Sequence, residues 1–180
     1  MLRSLLLAMN KAIFLDRDGV INYDSPYYIK SPDEFNFIPG SIDAIVKLNQ
    51  AGYLVGIATN QSGLSRGLYD IATLDAIHQK MCNTIEENGG KIHHIQFCPH
   101  MPDTGCECRK PKPGMLINLA KKLDVQLSEV YFVGDKLTDV DAARAAGAKP
   151  IFIFPSSEKS QELVPTYTSL QDFVINMLFI

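Results

Sequence analysis

The sequence predicts an α/β fold, a three-layer sandwich on a parallel, Rossmann-like sheet. Three observations carry that expectation. Five short apolar runs recur along the 180 residues, each short enough for a buried strand. Stretches with apolar residues at helical spacing separate them, and strands alternating with helices build parallel sheets. The polar residues able to do chemistry cluster just after these runs, where open parallel sheets bind ligands.

The first run, Ala12-Ile13-Phe14-Leu15, leads directly into Asp16-Arg17-Asp18-Gly19-Val20. Asn22 to Pro39 follows as a long polar and aromatic connection, of the kind that forms lids or binding loops. Ser41 is expected to cap an amphipathic helix through Ile42, Ile45, Val46 and Leu48, closed by Gly52. Tyr53 to Ala58 is the second strand and delivers Thr59-Asn60-Gln61-Ser62-Gly63. Asp70 can cap a helix to about Asn88, with Leu74, Ile77, Met81 and Ile85 on one stripe. Ile92 to Phe97 is the third strand, and Pro111-Lys112-Pro113-Gly114 opens a helix from Met115 to about Leu123. Val130 to Val133 is the fourth strand and ends in Gly134-Asp135-Lys136. An alanine-rich helix leads to Gly147, Ile151 to Phe154 makes the fifth strand, and the tail from Ser169 has the spacing of a final helix.

Hydrophobic content of 46%, charged content of 21% and a net charge of −3 are ordinary for a soluble globular chain. With a pI near 5.8 and no basic run, a nucleic-acid or membrane-surface partner is not expected. No stretch is long enough to span a membrane. One domain is expected over 9–180, with 1–8 a disordered or alternative-start extension and Met9 the start. The leading apolar segment is too short for a signal peptide and lacks a cleavage site. No helix has a sustained heptad, so a monomer is expected.

Asp16 and Asp18 lie two positions apart on an extended backbone, so their side chains share a face. Two like charges so close need a cation or a proton between them. An acidic loop is the alternative reading for the pair alone. With Asp135 they make three carboxylates at strand ends, which suits an oxygen-loving cation such as Mg²⁺. Thr59, Arg109 and Lys110 add a hydroxyl and two cations suited to phosphoryl oxygens. Phosphoryl transfer is the leading reaction class. Lys136 either orients Asp135 or faces solvent, and Asp139 and Asp141 read as supporting or helix N-terminal charges.

Cys98-Pro99-His100 and Cys106-Glu107-Cys108 form C-x-H-x5-C-x-C. Three thiolates and an imidazole suit tetrahedral Zn²⁺. With all four positions filled by protein, the zinc is expected to be structural and to fix the loop presenting Arg109 and Lys110. Cysteines used this way imply a reducing, cytoplasmic compartment. Cys82 reads as a core thiol, and His78, His93 and His94 as surface or core residues.

Asp16-Arg17-Asp18-Gly19-Val20, Thr59-Asn60-Gln61, Lys110 and Gly134-Asp135 stand in the order of the haloacid dehalogenase phosphatase superfamily's motifs, which the chain resembles. Phe14 to Gly19, Thr59 to Gly63 with Arg66-Gly67, Cys108 to Met115 and Gly134 to Leu137 are similar to the heptose 1,7-bisphosphate 7-phosphatase family. The resemblance runs from Ala12 to about Phe154. It implies a minimal cap, Asp16 as nucleophile, and Asp18 as general acid and then base. It further implies Mg²⁺ on the Asp16 carboxylate, the Asp18 main-chain carbonyl and Asp135, with Thr59 and Lys110 on the phosphoryl group. Arg109, Asp24, Ser25, Pro26, Tyr27, Asn60, Gln61 and Ser62 would bind a small phosphorylated substrate. The implied pathway supplies nucleotide-heptose for the lipopolysaccharide core. The short segment between His100 and Cys106 is similar to that of histidinol-phosphate phosphatases and keeps that substrate as the alternative, while Arg66-Gly67 and Pro113-Gly114-Met115 favour the heptose.

Overall fold

A computed structural model describes residues 10–154 and 164–179; the expectations for the leading extension and Met9 lie outside them. Six parallel strands form one sheet in the order β3-β2-β1-β4-β5-β6. They are β1 (Lys11–Leu15), β2 (Tyr53–Asn60), β3 (His94–Cys98), β4 (Tyr131–Gly134), β5 (Lys149–Ile153) and β6 (Thr166–Tyr167). The helices are α1 (Ser41–Gln50), α2 (Ile71–Glu87), α3 (Gly114–Leu123), α4 (Leu137–Ala146) and α5 (Leu170–Leu178). β1 lies at the centre, between β2 and β4, so the order reverses around it. That reversal opens a crevice at the carboxyl ends of β1, β2 and β4.

Strand alternation sorts the core into two apolar layers. Ile13, Leu15, Val55, Ile57, Val133 and Ile151 pack against α1, α2 and α5 through Ile45, Leu48, Ile77, Met81 and Phe173. Ala12, Phe14, Ala58 and Phe132 face the opposite way, onto Met115, Leu116 and Leu119 of α3 and Ala142 and Ala143 of α4. The small alanines let α4 approach closely. Helices on both faces complete the three layers.

Asp70 caps α2 by accepting from the Thr73 N–H at 2.8 Å, and Ser169 caps α5 by accepting from Asp172 N–H at 3.0 Å. Ser41 does not cap α1. Gly40 holds the N-cap position at φ +82°, and Ser41 Oγ, already inside the helix, donates to the Ile21 carbonyl at 2.9 Å. That bond ties the helix start to the segment after β1. β2 runs two residues further than expected, so Thr59 and Asn60 are strand residues held by pairing with β3.

The 22–39 connection adds no separate layer. It folds back through Tyr23 N–H to Asn36 O and Ile38 N–H to Ile21 O. Phe35 is buried, and Lys80 Nζ donates to the Pro32 and Phe35 carbonyls at 2.6 and 3.1 Å. The cap is minimal and anchored. No helix among the described residues is long and apolar enough to cross a membrane.

Candidate active site

The crevice is a cleft of about 630 Å³. Asp16 and Asp18 enter it from the end of β1, and Thr59, Asn60, Gln61 and Ser62 from β2 and the turn after it. Arg109 and Lys110 enter from the cysteine-rich loop, and Asp24, Ser25 and Pro26 from the long connection. Tyr27 is not brought in. Its turn, closed by Tyr28 N–H to Ser25 O, leaves it 77% exposed, and Tyr28 and Ile29 line the cleft instead.

Lys110 is buried at the centre of the charges. Its ammonium lies 2.8 Å from Asp16 Oδ1, 2.7 Å from Asp139 Oδ1 and 2.9 Å from the Ala58 carbonyl. The Ala58 carbonyl accepts a hydrogen bond from it, and the two carboxylates meet its charge. Burial alone would lower its pKa, but the Asp16 and Asp139 carboxylates outweigh it and raise it. Asn60 positions this lysine, its amide bonded to both the N–H and the carbonyl of Lys110.

Burial pushes the Asp16 carboxyl up to about 7 against the pull of Lys110. Both of its short contacts, from Lys110 and from the Arg17 N–H at 2.8 Å, fall on Oδ1. Oδ2 is the oxygen left for a ligand. Asp135 follows β4, and burial raises it to about 6. Carboxylate oxygens of Asp16, Asp135 and Asp139 lie within 4.8 Å of one another, and Asp135 Oδ1 is buried without a partner. An orphaned buried carboxylate oxygen is costly unless a cation meets it. The donor set, all oxygen, fits Mg²⁺. Gly19, at φ +85°, makes this convergence possible, since a side chain there would collide with the Asp135 carboxylate.

The Asp18 carboxylate turns elsewhere. It takes Arg17 Nη2 at 3.0 Å on each oxygen, Asn22 Nδ2 at 2.8 Å and Gln61 Nε2 at 2.9 Å. Burial would raise its pKa, yet Arg17, Asn22 and Gln61 lower it below the usual carboxylate range. Arg17 is itself buried against Phe35 and donates to His78 Nε2 at 3.2 Å. Burial and the Arg17 charge bring His78 down to about 3, so it is a neutral acceptor. Gln61 also donates to Thr59 Oγ1 at 2.8 Å and accepts from the Tyr69 hydroxyl at 2.7 Å.

Sequence reasoning missed Arg17, Asn22, Tyr69 and His78. Only His78 left a usable trace, falling on the buried stripe of α2 between Leu74 and Met81. Lys136 takes neither expected role alone. Its Nζ reaches Asp24 across the cleft mouth at 2.9 Å, half exposed. Asp139 accepts from the Lys136 N–H at 3.0 Å at the start of α4 and also holds Lys110. Asp141 lies outside the cleft lining.

Cys98, at the end of β3, lies 3.5 Å from His100 Nδ1, 3.6 Å from Cys106 Sγ and 3.2 Å from Cys108 Sγ. Cys108 is 3.3 Å from His100 Nδ1 and 3.5 Å from Cys106. The edges are close to the roughly 3.7 Å that a tetrahedral zinc with Zn–S bonds of about 2.3 Å sets. Burial and the neighbouring sulfurs push the Cys98 thiol up to about 12, so as a thiolate Cys98 needs a cation beside it. The donor set fits Zn²⁺. Arg109 Nη1 donates to the His100 carbonyl at 3.1 Å, so the cluster and the cleft share one loop.

Known proteins share both sequence and geometry. A family model described as HAD-hyrolase-like matches residues 107–178. The D-glycero-beta-D-manno-heptose-1,7-bisphosphate 7-phosphatase of Pseudomonas putida is 53% identical over 79% of this chain and 82% of its own length. The enzyme of that name from Neisseria meningitidis is 42% identical over 92% of this chain and 91% of its own. The crystal structure of D,D-heptose 1,7-bisphosphate phosphatase from B. bronchiseptica, complexed with magnesium and phosphate, superposes with a TM-score of 0.87 at 45% identity, covering 94% of this chain and 98% of that one. This chain is a phosphoric monoester hydrolase and belongs to the heptose 1,7-bisphosphate 7-phosphatase family of HAD-like hydrolases.

Proposed function

We propose that this enzyme removes the 7-phosphate of D-glycero-β-D-manno-heptose 1,7-bisphosphate through an aspartyl phosphate on Asp16, with Mg²⁺ as cofactor. It would act in the cytoplasm, in nucleotide-heptose supply for the lipopolysaccharide core. The observation that carries the chemistry is the Asp16 carboxylate, buried at the end of the central strand with Oδ1 held by Lys110 and the Arg17 N–H. The β-anomer follows the names of the relatives.

Asp16 Oδ2 attacks phosphorus as the bond from phosphorus to the sugar oxygen breaks. Asp18 gives its proton to the leaving alkoxide, then takes one from the water that cleaves the acyl phosphate. Thr59 Oγ and Lys110 Nζ hold the phosphoryl oxygens. The donors around Asp18 favour its base form; the nearby phosphate dianion supplies the opposing field for the acid form. Asp16, the Asp18 carbonyl and Asp135 would hold Mg²⁺, which neutralises charge between carboxylate and phosphate when bound. Arg109 recognises the substrate, with Asp24, Ser25 and Pro26 at the mouth of the cleft and Asn60, Gln61 and Ser62 along its wall.

The test is kcat/KM with Mg²⁺ on both heptose bisphosphate anomers and on histidinol phosphate. A preference of tenfold or more for the β-anomer is expected. A preference for histidinol phosphate would overturn the substrate and leave the mechanism standing.

Zinc in the cysteine loop would act by position, holding Arg109 through the His100 carbonyl. Cys106→Ser is expected to lower zinc content and melting temperature and to raise KM more than it lowers kcat. Full zinc content by metal analysis with unchanged KM would refute this account of the loop.

A further inference from the structure

Tyr69 is not among the cleft-lining residues, yet it is buried behind Gln61, which is. Its hydroxyl donates to Gln61 Oε1 at 2.7 Å. The two amide hydrogens of Gln61 are thereby committed to Asp18 Oδ2 at 2.9 Å and Thr59 Oγ1 at 2.8 Å. An amide side chain can turn over and exchange oxygen for nitrogen. Here the tyrosine fixes which end faces the carboxylate. Burial pushes the phenol up to about 12, so it stays a donor.

A second observation is independent of these bonds. A methyl group on Gly63 would meet the Tyr69 ring and come within 2.8 Å of its hydroxyl. The backbone of Gly63 shows no positive φ, so the glycine is there for space. The turn after β2 leaves room for this ring.

We propose that Tyr69 is a positioning residue that acts through Gln61 to set the Asp18 carboxyl group for proton transfer to the leaving oxygen. This rests on the acid–base role given to Asp18 under the proposed function. Arg17, Asn22 and Gln61 donate to Asp18, and of the two amides Gln61 is the one whose oxygen is held by another side chain. When the phenol O–H is gone, the amide loses its anchor and the carboxylate loses a fixed partner. Proton transfer is sensitive to small misplacements.

The test compares two leaving groups. An alkyl phosphate, such as the heptose bisphosphate or glycerol phosphate, needs a proton on its departing oxygen. p-Nitrophenyl phosphate departs as a stable phenolate and does not. Tyr69→Phe is expected to lower kcat/KM, which ends at departure of the leaving group and omits the later hydrolysis, about tenfold on the alkyl substrate, a loss on the scale of one hydrogen bond. Its effect on kcat/KM for p-nitrophenyl phosphate should stay within about twofold. Gly63→Ala, which displaces the ring and keeps the hydroxyl, should reproduce the same asymmetry. Equal losses on both substrates, or no loss in Tyr69→Phe, would overturn the proposal. Asp18→Asn separates this from failure of the underlying mechanism. If Asp18→Asn lowers kcat/KM far more on the alkyl than on the aryl substrate and Tyr69→Phe does not, the positioning role alone falls. If Asp18→Asn lowers kcat/KM equally on both, the acid role given to Asp18 is wrong.

Discussion

Asp16→Asn is expected to lower kcat by about a thousandfold or more, because an amide cannot form the acyl phosphate on which both half-reactions depend. The fold should survive. Burial raises the Asp16 carboxyl from 3.8 to about 7, so the native state of the metal-free protein binds its proton more tightly than the unfolded chain. Stability therefore falls as pH rises from about 4 through 7. Asparagine removes that decline. Thermal melts of the metal-free proteins at pH 5 and pH 8 should show a smaller drop for Asp16→Asn than for the wild type. Retained turnover would remove Asp16 as nucleophile, and an equal drop would show that its burial penalty is not felt.

Lys110→Met should produce the largest loss of stability. Met preserves much of the volume, but it leaves Asp16 and Asp139 facing each other with no cation between them. Breaking a buried ion pair by removing one partner costs about 3–5 kcal/mol, and here two carboxylates lose the same partner. Urea denaturation should show the loss, and Mg²⁺ should restore part of it by entering between the carboxylates. Lys110→Arg keeps the charge but replaces a tripod of hydrogens with a planar fork. It is expected to recover stability better than activity. A Lys110→Met protein as stable as the wild type would mean that these contacts carry no net energy.

Much of this was legible in the chain because the signals were local. The runs before Asp16, Thr59 and Asp135 read as strands from their apolar length, and all three residues stand at the carboxyl ends of parallel strands. The spacing of Cys98, His100, Cys106 and Cys108 brought together four side chains that the fold does cluster. What escaped depended on partners distant in sequence. Arg17 is charged and sits between two carboxylates, and nothing local says that it is buried against Phe35 and His78. Tyr69 owes its role to Gln61 and the space left at Gly63. β6 has two residues, paired with β5, and too little pattern to be seen. Ser41 reads as a cap because capping chemistry looks alike whether the serine precedes a helix or begins it, as it does here. The family resemblance implies Tyr27 for the cleft, and the turn closed by Tyr28 N–H to Ser25 O leaves it exposed instead.

The three acceptors around Lys110 bear on how a reaction cycle begins and ends. With its charge met by Asp16 and Asp139 and a hydrogen bond given to the Ala58 carbonyl, the ammonium is already engaged. Under the proposed function, a phosphoryl group would bind it by exchange, trading one interaction for another. When inorganic phosphate departs, the lysine has a carboxylate to return to, so no charge is stranded in the buried pocket. Tight capture and prompt release of the same anion would then draw on one set of contacts, with Asp139 as the placeholder between turnovers.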